Sequence, residues 1–275
     1  MKMLVRALVW WSLTSGLMSA GAAPSSAPES APVASPWRLG VALGYGSRSN
    51  PLIQSDDIPV LVDLDIAWFG ERWFFDNGDV GLALVDKPSI TANLVGRVNS
   101  DRVFFGKTNS RFVQVDAHGE PMQPPVELNP PDRDYAVELG LEVLTDGRWG
   151  QLALSGFQDV SGTHDGFEVA AEYGYRWHGA RWSLEPSMAL RYKSASLNDY
   201  YWGVRAEEAN PALPAYHAGS GLNWSAGARV SYYLTRQVRL AAAVNYERLS
   251  PAIADSPLVT EHGVLGYFAG LAYQF

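Results

Sequence analysis

Apolar and polar positions alternate with a period of two through most of this chain, most cleanly at its end. From Gly266 to Phe275, Tyr267, Ala269, Leu271, Tyr273 and Phe275 fall on one face, and Gly266, Phe268, Gly270, Ala272 and Gln274 on the other. That period belongs to a β-strand, and about ten residues let a tilted strand cross a bilayer. The same arithmetic recurs upstream. Trp37, Leu39, Val41, Leu43 and Tyr45 oppose Arg38, Gly40, Ala42 and Gly44. In a second strand Ile58, Val60, Val62, Leu64, Ile66 and Trp68 point outward, with Asp63 and Asp65 inward. Short arms at Trp73 to Phe75 and Val80 to Val85 are split by Asn77-Gly78, a strong hairpin signal, and Ile90 to Val98 returns with Arg97 inward.

The second half repeats the pattern. Tyr135, Val137, Leu139, Leu141 and Val143 oppose Glu138, Gly140 and Glu142, and the chain returns through Leu152 and Leu154. Phe167 to Trp177 opposes Glu168, Glu172 and Arg176; Trp182 to Tyr192 opposes Arg181, Glu185 and Arg191. Leu222 to Tyr232 carries Arg229 on its polar face, and Val238 to Tyr246 carries Arg239 and, just beyond, Glu247. A soluble sheet hides its apolar face, whereas a membrane barrel turns that face to lipid and keeps small, hydrated or ion-paired groups in its lumen. Soluble eight-stranded barrels put apolar groups inside, so strand after strand of inward Glu, Arg, Gly and Ser argues for the membrane.

Both ends of such a barrel lie on the periplasmic side, which requires an even number of crossings. Splitting the early arms at Asn77-Gly78 gives about twelve strands, with ten as the alternative. The expected fold is therefore an all-β, antiparallel, up-and-down transmembrane barrel over residues 37–275. Its long outer loops are 99–133, 158–166, 193–221 and 250–263, and its short periplasmic turns are 69–72, 86–89, 146–149, 178–180 and 234–237. Within 99–133 a small hairpin is expected, Val103 to Gly106 against Phe112 to Val115.

Composition adds compartment. Lys2 and Arg6, an apolar run from Ala7 to Met18 and Ala20-Gly21-Ala22 form the parts of a cleavable signal peptide over residues 1–22. The Pro-, Ser- and Ala-rich stretch 23–36 holds too little apolar surface to offset its ordering entropy and reads as a flexible leader. Cleavage moves the formal charge from -8 to about -10, because two cations leave with the signal. A chain this acidic has no basic stripe for phosphates, so no nucleic-acid partner is expected. Aromatics make up 12% of the residues, with ten Trp and thirteen Tyr, which suits the two interfacial girdles of a barrel. The absence of cysteine excludes disulfides, thiolate catalysis and Cys-ligated zinc.

Three groups of residues invite a chemical reading. His164, His217 and His262 fall in outer loops, His118 in the insertion and His178 at a strand end, without a Ser-His constellation or metal-ligand spacing. No enzyme activity, cofactor or metal is expected. Inward charges at Glu172, Arg176, Arg191, Arg229, Arg239 and Glu247 form either mutually neutralising ladders or a lumen constriction that selects solutes. The cluster Tyr200-Tyr201-Trp202 suits an interfacial girdle or a plug over the barrel mouth better than a sugar-stacking platform.

Several stretches carry a family resemblance. They are Tyr200-Tyr201-Trp202-Gly203-Val204, Pro214-Ala215-Tyr216-His217-Ala218-Gly219, Tyr246-Glu247-Arg248-Leu249, Asp255-Ser256-Pro257-Leu258-Val259 and the closing Tyr273-Gln274-Phe275. Gly44-Tyr45-Gly46-Ser47, Trp73-Phe74-Phe75 and Asp159-Val160-Ser161-Gly162 ahead of His164-Asp165-Gly166 agree. Together they resemble the MipA/OmpV family of outer-membrane proteins from Arg38 to Phe275, fading between Asn99 and Arg133. The closing Tyr-x-Phe also resembles the terminal signal of bacterial outer-membrane barrels. The resemblance implies a barrel in the outer membrane, surrounded by lipid and lipopolysaccharide, without cofactor or catalytic motif. It implies a scaffold that brings a lytic transglycosylase, a murein hydrolase, together with a penicillin-binding protein; family members are also read as porin-like channels or surface adhesins. The mature chain is expected to fractionate with the outer membrane and to migrate on unboiled gels as a compact, heat-modifiable species. Recovery as a soluble periplasmic protein would refute the barrel.

Overall fold

A computed structural model describes residues 35–105 and 130–275. The expected signal peptide, the expected leader up to residue 34 and the expected Phe112 to Val115 arm lie outside the described residues. Twelve antiparallel strands close on themselves. In order they are β1 Trp37–Arg48, β2 Ile58–Phe69, β3 Trp73–Asp76, β4 Asp79–Lys87, β5 Ile90–Val98, β6 Val137–Gly147 and β7 Gly150–Asp159. There follow β8, interrupted as Phe167–Gly174 and Trp177–His178, then β9 Trp182–Lys193, β10 Gly221–Tyr233, β11 Val238–Arg248 and β12 Gly263–Gln274. Each strand pairs with its sequence neighbours, and β12 against β1 seals the ring through partners such as Leu43 with Leu271 and Gly44 with Gly270. The terminal alternation is thus the closing seam.

The outward face is apolar, as a bilayer requires. Leu43, Leu64, Leu141, Met188, Leu240 and Leu271 are all exposed, and an aromatic stands near most strand ends. Trp37, Trp73, Trp177 and Trp182 mark the end with short turns; Tyr45, Tyr135, Trp224 and Tyr246 mark the end with long loops. Inside, the residues facing the closing seam are small. A Cβ on Gly44 would lie 2.2 Å from the Ala269 carbonyl oxygen and 2.7 Å from the Phe268 ring, so only glycine lets that ring lie flat inside the wall.

The structure departs from simple alternation at identifiable places. A β-bulge shifts the β1–β2 register between Leu43 and Gly46, leaving Leu61 and Val62 both exposed. Above it the parity of β2 reverses. Ile58 and Val60, read from the sequence as outward, instead face inward, Val60 packing beside Ala42 and Phe268. In β9, Pro186 has no N–H for the ladder, and β8 breaks opposite it at Tyr175-Arg176. The hairpin tip Asn77-Gly78, with φ of 50° and 108°, ends β3 early, so β3 covers β2 only from Ala67 to Phe69. Beyond that pairing the Asn77 backbone and side chain bond Ile66, and Ile58 to Asp65 have no strand on this side among the described residues. Finally, Val103 to Phe105 are not a strand but part of a 3-10 helix, Ser100–Phe105, whose Phe104 and Phe105 are buried.

The register has a direct consequence for stability. Leu240→Arg or Ala226→Arg, on the lipid face, should each cost roughly 2 to 4 kcal/mol, while Ser225→Arg, on the lumen face, should cost little. Unfolding titrations in lipid vesicles read the difference; a reversed ranking would place the strands one residue out of register.

Candidate functional site

The lumen is organised by charge. Arg97 on β5 sits opposite Glu138 on β6 and bonds it at 2.8 Å, while its other arm reaches Glu168 on β8, also at 2.8 Å. Arg191 on β9 continues the ladder to Glu168 at 3.4 Å and Glu172 at 3.0 Å. Asn99 donates to Glu138 at 2.6 Å, and the Arg97 guanidinium stacks 3.7 Å from the centre of the Phe157 ring. A second knot lies toward the periplasm, where Arg38 bonds Asp65 and Asp76, each at 3.1 Å. Charges withdrawn from bulk water are tolerated only when paired this closely, so these links brace the wall from within.

The expected constriction is resolved into separate levels. Glu172 and Arg191 meet directly. Glu247, nearer the outer mouth, accepts from Asn223 Nδ2 at 2.8 Å. Arg176 pairs with Glu185 at 2.9 Å, and Arg229, cross-strand to Glu185, shares with them a cavity also lined by Ser187, Ser225 and Asn245. Arg239 is buried lower on β11, close enough to act electrostatically on Asp65. The six residues therefore do not form one ring. Arg97, Glu138 and Glu168, which join the ladder most tightly, were individually recognisable as inward but not as a group, since their meeting depends on a register no local pattern reveals.

Above the ladder the outer loops fold into a dome. Helix α1, Ala195–Trp202, starts at Ser194, whose hydroxyl accepts from the Leu197 N–H; helix α2, Pro251–Ala254, starts with proline at its first turn. Leu197, Tyr201 and Trp202 pack with Leu52, Phe104, Phe105, Leu213, Leu249, Ile253 and Leu258 in one apolar core. Trp202 meets the Phe104 and Phe105 rings at 5.7 Å each. The Ser256 hydroxyl donates to the Trp202 carbonyl, and Tyr216 to the Ala252 carbonyl at 3.1 Å, tying the loop after α1 to the loop around α2. Tyr201 and Trp202 are almost completely buried, so Tyr200-Tyr201-Trp202 is the heart of a plug and not an open stacking surface.

The dome is fastened to the wall by polar contacts. Asp101 in the 3-10 helix receives Lys193 Nζ on both carboxylate oxygens, at 2.6 and 2.7 Å, and Trp202 Nε1 at 3.4 Å. His164 is buried where the β7–β8 loop meets the dome; its Nδ1 accepts from the Gly166 N–H at 2.9 Å, and its Nε2 lies 3.3 Å from Glu138. That arrangement is structural: Asp159 caps the same loop through the N–H groups of Ser161, His164 and Asp165. His217 lies exposed beside Asp199, apart from His164, and no group of three His, Cys, Asp or Glu among the described residues is placed to hold a metal ion.

On the outer side of the dome, Arg133 clamps Glu208 at 2.6 and 3.0 Å and also donates to the Gly203 carbonyl. Burial alone would raise the Glu208 carboxyl, but the Arg133 bonds and the Arg205 N–H hold it below the usual carboxylate range. Its stabilising effect is present above the ordinary Glu pKa and is lost as the pH falls through the lowered one. Melting followed by the near-ultraviolet dichroism of the dome aromatics should therefore shift down on acidification in that window. Arg133→Met should lower the neutral-pH melt and flatten its pH dependence; an unchanged profile would show that the clamp does not hold the dome.

Comparison with known proteins agrees with this architecture. The model of the family "MltA-interacting protein MipA" matches residues 39–275. The outer membrane protein OmpV of Vibrio cholerae is 28% identical over 145 residues, 52% of this chain and 56% of that protein. The MltA-interacting protein of Escherichia coli is 24% identical over 145 residues, 52% of this chain and 58% of that protein. The chain thus spans little more than half the length of these curated relatives. Among solved structures, the NanC porin aligns with 86% of this chain and all of its own, at 9% identity and a TM-score of 0.45. With most of its length covered by one family model, an apolar exterior and a charged interior, the chain is an outer-membrane β-barrel and belongs to the MltA-interacting protein MipA family.

Proposed function

We propose that this barrel is a closed anchor in the outer membrane that gathers a murein hydrolase of the lytic transglycosylase class, and with it a penicillin-binding synthase, at its periplasmic face. The observation that carries this reading is the dome. A barrel whose outer mouth is filled by a packed apolar core, with an ion-pair ladder beneath it, is built for rigidity and not for free passage of solute. The name of the Escherichia coli relative, an MltA-interacting protein, supports the choice of partner.

The periplasmic surface limits how such a partner can bind. Between strands it consists of short turns, such as Gly70 to Arg72 and Leu234 to Gln237, a small face to set against the roughly 1,000 Å² that a specific interface buries. We assign the extension of that contact to the stretch 24–36, rich in Pro, Ser and Ala. Co-purification from detergent with a lytic transglycosylase and a penicillin-binding protein tests the reading. The intact barrel should retain the hydrolase, and deletion of 24–36 together with the turn tips should release it. An intact barrel that retains neither enzyme would refute the anchor.

A further inference from the structure

One carboxylate connects three parts of the outer mouth. Asp101 belongs to the 3-10 helix that follows β5, Lys193 ends wall strand β9, and Trp202 closes α1 at the centre of the dome. Lys193 Nζ bonds both Asp101 oxygens at 2.6 and 2.7 Å, and the two side chains are only 5% and 6% exposed. Asn99 fixes the Asp101 backbone by accepting its N–H at 2.9 Å, and the same Asn99 holds Glu138 in the ladder. Among the described residues, Asp101–Lys193 is the ion pair that joins the 3-10 helix to the wall.

Two properties make this tie a latch and not just one more packing contact. A buried ion pair is an all-or-none interaction: losing either partner leaves the other charge uncompensated, while an apolar pair of similar volume holds as well or better. The dome is also an addition to the barrel and not part of its closure. The strands close into a ring from β1 to β12, unpaired only along the β3 side of Ile58 to Asp65, whereas the dome is made of loop segments, short helices and side chains. Directly below lies a polar lumen, where Glu168 and Glu172 are paired with Arg97 and Arg191 and Glu247 accepts from Asn223.

We propose that the dome is a displaceable plug latched by Asp101 and Lys193, and that releasing this latch converts the closed barrel into an aqueous pore. This adds a second, gated activity to the anchoring role and does not depend on it, since hydrolase binding and conductance are read separately.

Planar-bilayer recordings on purified, heat-modifiable protein test the proposal. The unmodified barrel should be silent. Lys193→Met should give resolved conductance steps, with the fraction of time spent open rising about tenfold or more. Asp101→Asn, nearly isosteric, should do the same and keeps the proposal testable where Lys193→Met fails to assemble. The double variant Asp101→Leu with Lys193→Met, which replaces the ion pair by an apolar one, should be silent again. Assembled Lys193→Met or Asp101→Asn barrels as silent as the unmodified protein would overturn the latch, as would an unmodified barrel that already conducts equally well.

Discussion

Everything in this molecule follows from turning an apolar sheet face outward. In hydrocarbon every backbone donor and acceptor must be satisfied within the protein, so the sheet has to close, and β12 returns to β1 to do it. The other face is then committed to the interior. Its Arg, Glu and Asp side chains have neither lipid nor bulk water to stabilise them, so they pair across strands. Arg97 with Glu138 and Glu168, and Arg191 with Glu168 and Glu172, make one continuous ladder. The ladder is a consequence of the alternation, and it also narrows the space the barrel encloses.

The dome answers a different constraint. Long outer loops on a barrel of this size would leave unpaired backbone and scattered apolar residues at the mouth. Here they fold on one another, Trp202 and Tyr201 filling the space above Phe104 and Phe105, with Ser194 and Pro251 starting the helices that carry them. Apolar packing gives the dome its cohesion, while polar contacts, Asp101 with Lys193 and His164 with Glu138, fix its position over the wall. The interior is thus braced at mid-height by the ladder and covered above by the dome.

Much of this was legible in the chain, because a period of two is a local property. The closing strand, the Asn77-Gly78 split that sets the count at twelve and the long outer loops all follow from neighbours in sequence. What escaped were effects that reverse a pattern at one residue or join distant ones. The bulge near Leu61 flips Ile58 and Val60 inward without any change in composition. The break in β8 is caused by Pro186 on the adjacent strand, visible only once the two are placed side by side. Val103 to Phe105 have the residues of a strand, yet they fold as a 3-10 helix because the dome core offers Phe104 and Phe105 a place to be buried. The candidate constriction was legible as a set of inward charges but not as separate levels, since partnership among Glu and Arg side chains depends on cross-strand register.

The central claim, that the outer mouth is filled by a packed core as ordered as the wall beneath it, is tested most directly by amide hydrogen exchange on the protein in lipid. The backbone N–H groups of Val204, Tyr216, Ile253 and Leu249, each hydrogen-bonded within or beside the dome, should exchange slowly, within about tenfold of those in β10 to β12. Exchange at the rate of open loops, with protection confined to the strands, would contradict the account and leave the mouth uncovered.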